Sequence, residues 1–257
     1  MTPELIAARY FNVDAAALHA VRIKDGLTNE SYRITGGREN IVVRISNRDE
    51  ASLQINRHSE AVVLDLAEQA GIGAQVLLNQ PDDHVLITRE LPGRNLARDE
   101  VSDSRNIARI AGLLRKLHAL EVNETVRSLQ LADTLQEYWR LLGNWGDHKT
   151  ALHIAEESDA QTLRVLCHND VHHLNLIDNG GQLWLLDWEY AGVGDPYFDL
   201  ASVCCYHDFN AAQRLMLIDR YSTGNVAPDP ARLDRMCWLF DYIKGLWFAV
   251  RNADEVR

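Results

Sequence analysis

The sequence is poor in several features that would assign a protein to a particular class. Its 257 residues include only four cysteines, none in a Cys-x-x-Cys pair, and no stretch approaches the roughly 18 consecutive apolar residues of a membrane span. The 26 lysine and arginine residues are outnumbered by 37 aspartate and glutamate residues, which gives a formal charge of −11. Proteins that bind nucleic acid or anionic membranes usually carry a basic excess instead. We therefore expect neither kind of partner.

The N-terminus also lacks the basic and apolar segments of a signal peptide. Thr2 precedes Pro3 and Glu4, an order that predicts the start of a helix. Unpaired cysteines in a chain of this length indicate reduced thiols. These features predict a cytoplasmic protein, whereas its oligomeric state stays open.

Hydrophobic patterning divides the chain into two unlike parts. Before residue 91 the patterns predict strands on both sides of a Gly36-Gly37 turn, one helix that stops near Gly71, and a hairpin around Pro81. After the segment "PGRNLARDE" the patterns are mainly helical. The expected fold class is α+β, with a small β-rich N-terminal lobe over residues 1–91 that contains one inserted helix. A larger, mainly helical lobe is expected over residues 92–257.

The segment "HNDVHHLN", residues 168–175, concentrates polar side chains between two apolar runs. Its three histidines could bind a transition metal, but their spacing fits neither the HExxH pattern nor a structural zinc pattern. A catalytic loop explains more of the residues. Asp170 and Asn175 have the spacing of the H-x-D-x-x-x-x-N motif, in which the Asp accepts a hydroxyl proton and the Asn binds magnesium.

A second acidic residue follows at the distance that a phosphoryl-transfer site requires. Asp187 comes after the apolar run Leu183 to Leu186, and the Gly180-Gly181 turn brings that run back beside the catalytic loop. Asp170, Asn175 and Asp187 can therefore converge. Oxygen ligands of this kind suit Mg²⁺. We predict that Asp170 is the catalytic base, and that Asn175 and Asp187 bind magnesium in an ATP-dependent phosphoryl transfer.

The N-terminal part contains candidate nucleotide-binding residues. Arg44 lies on the predicted third strand and faces away from Ile41 and Val43, and Glu60 lies on the following helix. This order of elements predicts an ion pair that holds the nucleotide phosphates. The loop "DGLTNES" is expected to cover the phosphates, and position alone suggests a hinge that contacts adenine in "ITREL". The additional candidates are Gly26, Thr28, Asn29, Glu90 and Leu91.

Taken together, these segments resemble the superfamily of choline kinases and aminoglycoside phosphotransferases. The residues that carry the resemblance are "DGLTNESYRI", "IVVRIS", "NRHSE", "LPGRNL", "LCHNDVHHLN" and "LLDWEYAGVGDPYFDLA". The resemblance implies a protein-kinase-like bilobal fold that uses ATP and Mg²⁺, with nucleotide binding in the first lobe and catalysis in the second. It also implies that His172 contacts the γ-phosphate, and that His168 and Asp199 brace the catalytic loop.

The "HND" and "DWEYAG" segments are most similar to the choline and ethanolamine kinase branch. A cationic alcohol requires aromatic faces and a nearby acid, and the last helix offers Trp238, Asp241 and Tyr242 on one face, with Trp247 elsewhere. Tyr190 and Tyr206 are further candidates. The glutamate that lines the choline site of eukaryotic relatives is absent from "DLASVCCYHD".

The substrate therefore stays open among three classes of alcohol. Choline or ethanolamine is favoured, then thiamine, then an aminoglycoside, for which dispersed carboxylates offer less support. A non-catalytic nucleotide-binding module is the competing interpretation, but the base and both metal ligands are present. A protein kinase is disfavoured because the "DFG" position reads "DWE" and no "APE" segment follows.

Overall fold

The computed structural model describes residues 2–23, 29–46, 53–143, 148–161, 163–222 and 228–254. Within these residues the chain forms a sheet-containing N-terminal part and a mainly helical C-terminal part, which confirms the predicted α+β class. None of the helices in these ranges combines the length and the apolar character that crossing a bilayer would require.

An antiparallel five-stranded sheet forms the N-terminal part. Its spatial order is β1-β2-β3-β5-β4, so the last two strands form a hairpin whose second strand pairs with β3. The predicted turn between β2 and β3 contains Gly36 at a φ of +93°, where a Cβ atom would come within 2.3 Å of the Ala17 carbonyl oxygen. The strands are β1 (His19–Ile23), β2 (Asn29–Thr35), β3 (Ile41–Ser46), β4 (Val76–Gln80) and β5 (Val85–Arg89).

Two helices accompany this sheet. Helix α1 (Pro3–Phe11) begins where the sequence predicts, and the Thr2 hydroxyl accepts a hydrogen bond from the Leu5 amide. Helix α2 (Arg57–Gln69) is the predicted inserted helix. The Asn56 side chain caps it by accepting a hydrogen bond from the Ser59 amide.

The C-terminal part consists of six helices and two small sheets among the described residues. Short strands β7, β8 and β9 carry the loops that the sequence marked as catalytic, and β6 pairs with β8. The strands are β6 (Arg94–Asn95), β7 (Val165–Cys167), β8 (Leu176–Asp178), β9 (Leu183–Leu185) and β10 (Gly192–Gly194). The helices are α3 (Ser104–His118), α4 (Leu131–Leu142), α5 (His148–Asp159), α6 (Pro196–Tyr206), α7 (Ala211–Tyr221) and α8 (Pro230–Asp254).

The hydrophobic residues form two clusters. The smaller one joins α1 to the inner faces of β2, β3 and β5. The larger one fills the helical part and also contains Val63, Leu64 and Ala67 of α2. Helix α2 is therefore packed on the C-terminal part although it is inserted into the N-terminal one, and its residues are held beside the catalytic loops. The boundary at residue 91 stays a prediction.

Candidate active site

The catalytic loop begins directly after β7 and is braced by a buried carboxylate. Asp199, fully buried on α6, accepts hydrogen bonds from the amides of His168 at 2.9 Å and Asn169 at 2.6 Å. His118 contacts the same carboxylate at 2.9 Å. His168 in turn lies 2.9 Å from the Leu186 carbonyl oxygen through Nε2. These contacts fix the loop backbone immediately before its acidic residue, in the bracing role that the resemblance implied for His168 and Asp199.

Asp170 projects from this loop into a ring of polar partners. The Tyr206 hydroxyl donates to Asp170 Oδ1 at 2.7 Å, and the Asn175 amide donates to Oδ2 at 3.3 Å. His172 Nε2 lies 3.4 Å from the same Oδ2. Burial alone would raise the pKa of Asp170, but His172 and Tyr206 outweigh it and hold that pKa below its ordinary value. Asp170 is therefore an ionised hydrogen-bond acceptor.

Asp187 follows β9, as predicted, and lies beside the catalytic loop because the Leu186 amide donates to the Asn175 carbonyl oxygen at 2.9 Å. Its backbone adopts the left-handed region at a φ of 62°, and Asn169 does so at 69°. Burial raises the pKa of Asp187 to about 6, against the opposing charge of Arg44. The site thus contains two carboxylates whose pKa values are shifted in opposite directions.

A buried chain of alternating charges supports the site from the N-terminal part. Arg44 forms a bidentate pair with Glu60, at 2.6 and 2.8 Å, and its Nη1 lies 3.4 Å from Asp187. Arg57 donates to Glu60 at 2.7 Å and to Glu189 at 3.1 Å. The predicted Arg44–Glu60 pair therefore exists, and it is joined to the acidic "DWE" segment by two contacts.

Arg57 and Glu189 are site residues that the sequence analysis missed. Asn29, expected to contact phosphate, uses its side chain to accept from Arg57 at 2.9 Å and to donate to Glu189 at 2.8 Å. The available signal was the i, i+3 spacing of Arg57 and Glu60 and the position of Glu189 two residues after Asp187.

Asp170, Asn175, Asp187, Glu189 and Arg44 line a cleft of about 680 Å³ between the sheet and the helical part. Directly after β5, Glu90 and Leu91 lie on the wall of the cleft, where a hinge was expected. The Glu90 amide already donates to the Asn40 carbonyl oxygen at 3.1 Å, and its carboxylate pairs with Arg33 at 2.7 Å. Gly26 and Thr28, the predicted phosphate-loop residues, lie outside the described residues.

Aromatic side chains form the opposite end of the cleft. Tyr190 and Trp247 are both there, and the Trp247 indole donates to the Tyr190 hydroxyl at 2.9 Å. Tyr206 and Phe240 extend this wall, with ring centroids 5.4 Å apart. We call this end, defined by Tyr190, Tyr206, Phe240 and Trp247, the aromatic end of the cleft.

The structure corrects the expected face of α8. Trp238, Asp241 and Tyr242 do not line the cleft: Trp238 is 41% exposed, and the Tyr242 hydroxyl accepts from the Trp139 indole at 3.2 Å. At 3.6 residues per turn, positions 238, 241 and 242 project away from positions 240, 243 and 247, which face the cleft. The sequence analysis therefore chose the side of α8 that faces away from the cleft.

One group in the described part of the chain has its ligand atoms close enough for a metal: His118, Cys167 and Asp199. Both Asp199 oxygens already accept backbone hydrogen bonds, and His118 also contacts the Tyr221 hydroxyl at 2.7 Å. These contacts account for the group as a brace of the catalytic loop.

Comparison with known proteins places this site in a family. The profile of the "Phosphotransferase enzyme family" matches residues 19–235. The chain belongs to this family. Protein LicA of Haemophilus influenzae is 29% identical over 194 residues, which span 69% of this chain and 55% of that protein. Thiamine kinase of Escherichia coli is 34% identical over 153 residues, which span 55% of this chain and 53% of that enzyme.

Solved structures of family relatives share the fold across nearly the whole chain. Choline kinase LicA from Streptococcus pneumoniae superposes with a TM-score of 0.81 at 20% identity, covering 98% of this chain and 91% of that one. LicA in complex with AMP gives a TM-score of 0.77 at 18% identity, covering 98% and 90%. The kinase-like arrangement of sheet and helical part, implied earlier by the resemblance, is confirmed.

Proposed function

We propose that this phosphotransferase transfers the γ-phosphoryl group of Mg²⁺–ATP to the hydroxyl of a small cationic alcohol. Choline and ethanolamine are the first candidates. The observation that carries the proposal is the meeting of three features in one cleft. Asp170, an ionised acceptor held by Tyr206, Asp187, whose pKa is raised, and Arg44, which is paired with Glu60, all line it.

The residues present fit a magnesium ion. The Asp187 side chain is 33% exposed, and its pKa is raised although Arg44 lies 3.4 Å away, so a divalent cation would stabilise the ionised form. The Asn175 amide nitrogen is used in donating to Asp170, which directs its oxygen elsewhere. We assign Asn175 and Asp187 as the ligands of a bound ion that would neutralise phosphate charge.

The protein's own groups supply the remaining chemistry. Asp170 accepts the hydroxyl proton of the substrate, and the Tyr206 hydrogen bond orients the carboxylate that does so. Glu60 occupies both terminal nitrogens of Arg44, whose buried Nε has no partner among the described residues. A phosphate oxygen would satisfy that N–H and place the nucleotide at the charged end of the cleft. His172, whose pKa is raised because Asp170 outweighs its burial, adds positive charge beside the transferred group.

The aromatic end favours a substrate with one cationic group. Rings attract an ammonium through their faces, whereas an aminoglycoside with several ammonium groups would require several carboxylates. Thiamine, a flat aromatic cation with a primary hydroxyl, is the second candidate, and the similarity to thiamine kinase supports it.

The proposal is tested by ADP release from the purified protein with Mg²⁺–ATP and choline, ethanolamine, thiamine, kanamycin or no acceptor. We expect turnover with one of the first two and a loss of about 10²–10⁴ in kcat for Asp170→Asn, with ATP binding retained. Turnover with thiamine or kanamycin alone would replace the proposed substrate. Full activity of Asp170→Asn would refute the assigned base.

A further inference from the structure

The aromatic end of the cleft contains a cation that belongs to the protein itself. Lys244 lines the cleft, and its Nζ lies 5.3 Å from the centroid of the Tyr206 ring and 5.6 Å from that of Phe240. Both distances are within the range in which a ring face attracts an ammonium. Nζ also pairs with Asp241 at 2.6 Å. The side chain is 26% exposed, so it is shielded but reaches solvent.

The position of this ammonium relative to the assigned base is informative. The Tyr206 ring under Lys244 is the one whose hydroxyl donates to Asp170 at 2.7 Å. Its neighbour Phe240 packs on Phe198, with centroids 5.1 Å apart, so the ring surface is built into the helical core. A cation placed there therefore lies one aromatic ring away from the carboxylate that accepts the hydroxyl proton.

Each of the carboxylates that line the cleft already has a partner or an assigned role. Asp170 is bound by Tyr206, Glu189 by Arg57 and Glu90 by Arg33, and Asp187 is assigned to magnesium. A substrate ammonium must therefore be held by ring faces. The ring surface next to Asp170 is the one that Lys244 covers.

We infer that Lys244 is a specificity-determining residue: it lies on the ring surface that would bind the ammonium of the substrate, and the cationic group of the substrate takes its place. This inference rests on the proposed function and identifies the ring surface that recognises the positive charge of the substrate. Asp241 is 57% exposed and one helical turn from Lys244, so the displaced ammonium keeps its counter-charge while it moves toward solvent. Lys244 thus competes with the substrate for the rings, and only a well-fitting cation displaces it.

The opposite role for Lys244 would be attraction of an anionic group, such as a carboxylate on the alcohol or the transferred phosphoryl group. The two roles give opposite results on removal of the charge. Loss of an internal competitor strengthens cation binding, whereas loss of an anion-binding residue weakens binding or slows turnover.

The test compares Lys244→Met with Lys116→Met, a matched change at an exposed position at the end of α3. KM is measured for choline and for its uncharged isostere 3,3-dimethylbutan-1-ol, with Mg²⁺–ATP saturating. We expect Lys244→Met to lower the KM for choline by roughly three- to tenfold and to change the KM for the isostere by less than about twofold. Lys116→Met should change neither. An unchanged or raised KM for choline, or a loss of kcat alone, would overturn the inference.

A binding measurement separates this inference from the proposed reaction. Tetramethylammonium is titrated calorimetrically into the wild type, Lys244→Met and Lys244→Gln, the last serving if the Met variant fails to fold. Tighter binding to the uncharged variants with no alcohol phosphorylated would support the subsite and refute the reaction. Choline turnover with equal tetramethylammonium affinity in all three proteins would support the reaction and refute the role of Lys244.

Discussion

The two ends of the cleft are stabilised in different ways. The nucleotide end is the charged end, where we propose that the nucleotide binds. A continuous buried chain lies there, in which each charge has a partner of opposite sign: Arg44, Glu60, Arg57 and Glu189. At the aromatic end, rings form the wall, and Lys244 with its half-exposed partner is the nearby ion pair among the described residues.

This difference separates what is fixed from what can vary. A buried charge that loses its partner carries the full desolvation penalty, so residues at the nucleotide end depend on one another. A ring wall tolerates changes of shape because its contacts are many and individually weak. We therefore expect changes at the charged end to abolish turnover or folding, and changes at the aromatic end to redistribute substrate preference.

The largest effect is expected for Asp187→Asn, which removes the charge of the proposed metal ligand while keeping the side chain's shape. We expect Mg²⁺-dependent turnover to fall by about 10³-fold or more, because the developing phosphate charge loses its stabilisation. Steady-state ADP release at several Mg²⁺ concentrations measures this. Asp82→Asn, at an exposed residue outside the cleft, is the control. Near-normal turnover would show that Asp187 does not bind the metal.

Glu60→Gln tests the coupling of the buried charges. The change leaves the guanidinium groups of Arg44 and Arg57 without their shared counter-charge, at a cost of about 3 kcal/mol in the free energy of unfolding. Urea denaturation measures it. Glu137→Gln breaks an exposed pair with Arg140 and should have little effect. Equal losses in the two variants would contradict the described coupling.

The opposite pKa shifts of the two carboxylates predict how activity depends on pH. Asp170, with a lowered pKa, stays ionised across the working range, whereas Asp187 becomes protonated as the pH falls through about 6. Turnover should therefore decline as the pH falls through about 6. Because Mg²⁺ competes with the proton for Asp187, raising its concentration should move the midpoint to lower pH. A midpoint independent of Mg²⁺ would assign the transition to another group.

The smallest effect is expected at the aromatic end. Trp247→Phe removes the hydrogen bond to Tyr190 and part of the ring surface, so the KM for the accepted alcohol should rise by about two- to fivefold, with the KM for ATP unchanged. Trp238→Phe, on the outward face of the same helix, should change neither value. A larger effect at Trp238 would restore the face that the sequence analysis favoured.

Sequence reasoning reached the nucleotide end because its residues lie in short segments with fixed spacing. Asp170 and Asn175 share one loop, and Asp187 follows the β8–β9 hairpin that begins directly after it, so local chain geometry determines their meeting. Lys244 and the contact of Tyr206 with Asp170 escaped it because they depend on how α6 and α8 pack. The rotation of a helix that is apolar on most sides cannot be read from periodicity, and for α8 the wrong face was chosen.

The left-handed backbone at Asn169 and Asp187 has a consequence for any effort to improve this protein. Most side chains other than glycine cost roughly 1 kcal/mol in that conformation, and asparagine and aspartate tolerate it best. Glycine at position 187 would therefore relax the fold and remove the carboxylate in one step. A library of variants selected for heat resistance alone should accumulate glycine at position 187 and lose activity. Selection for turnover should instead retain the aspartate.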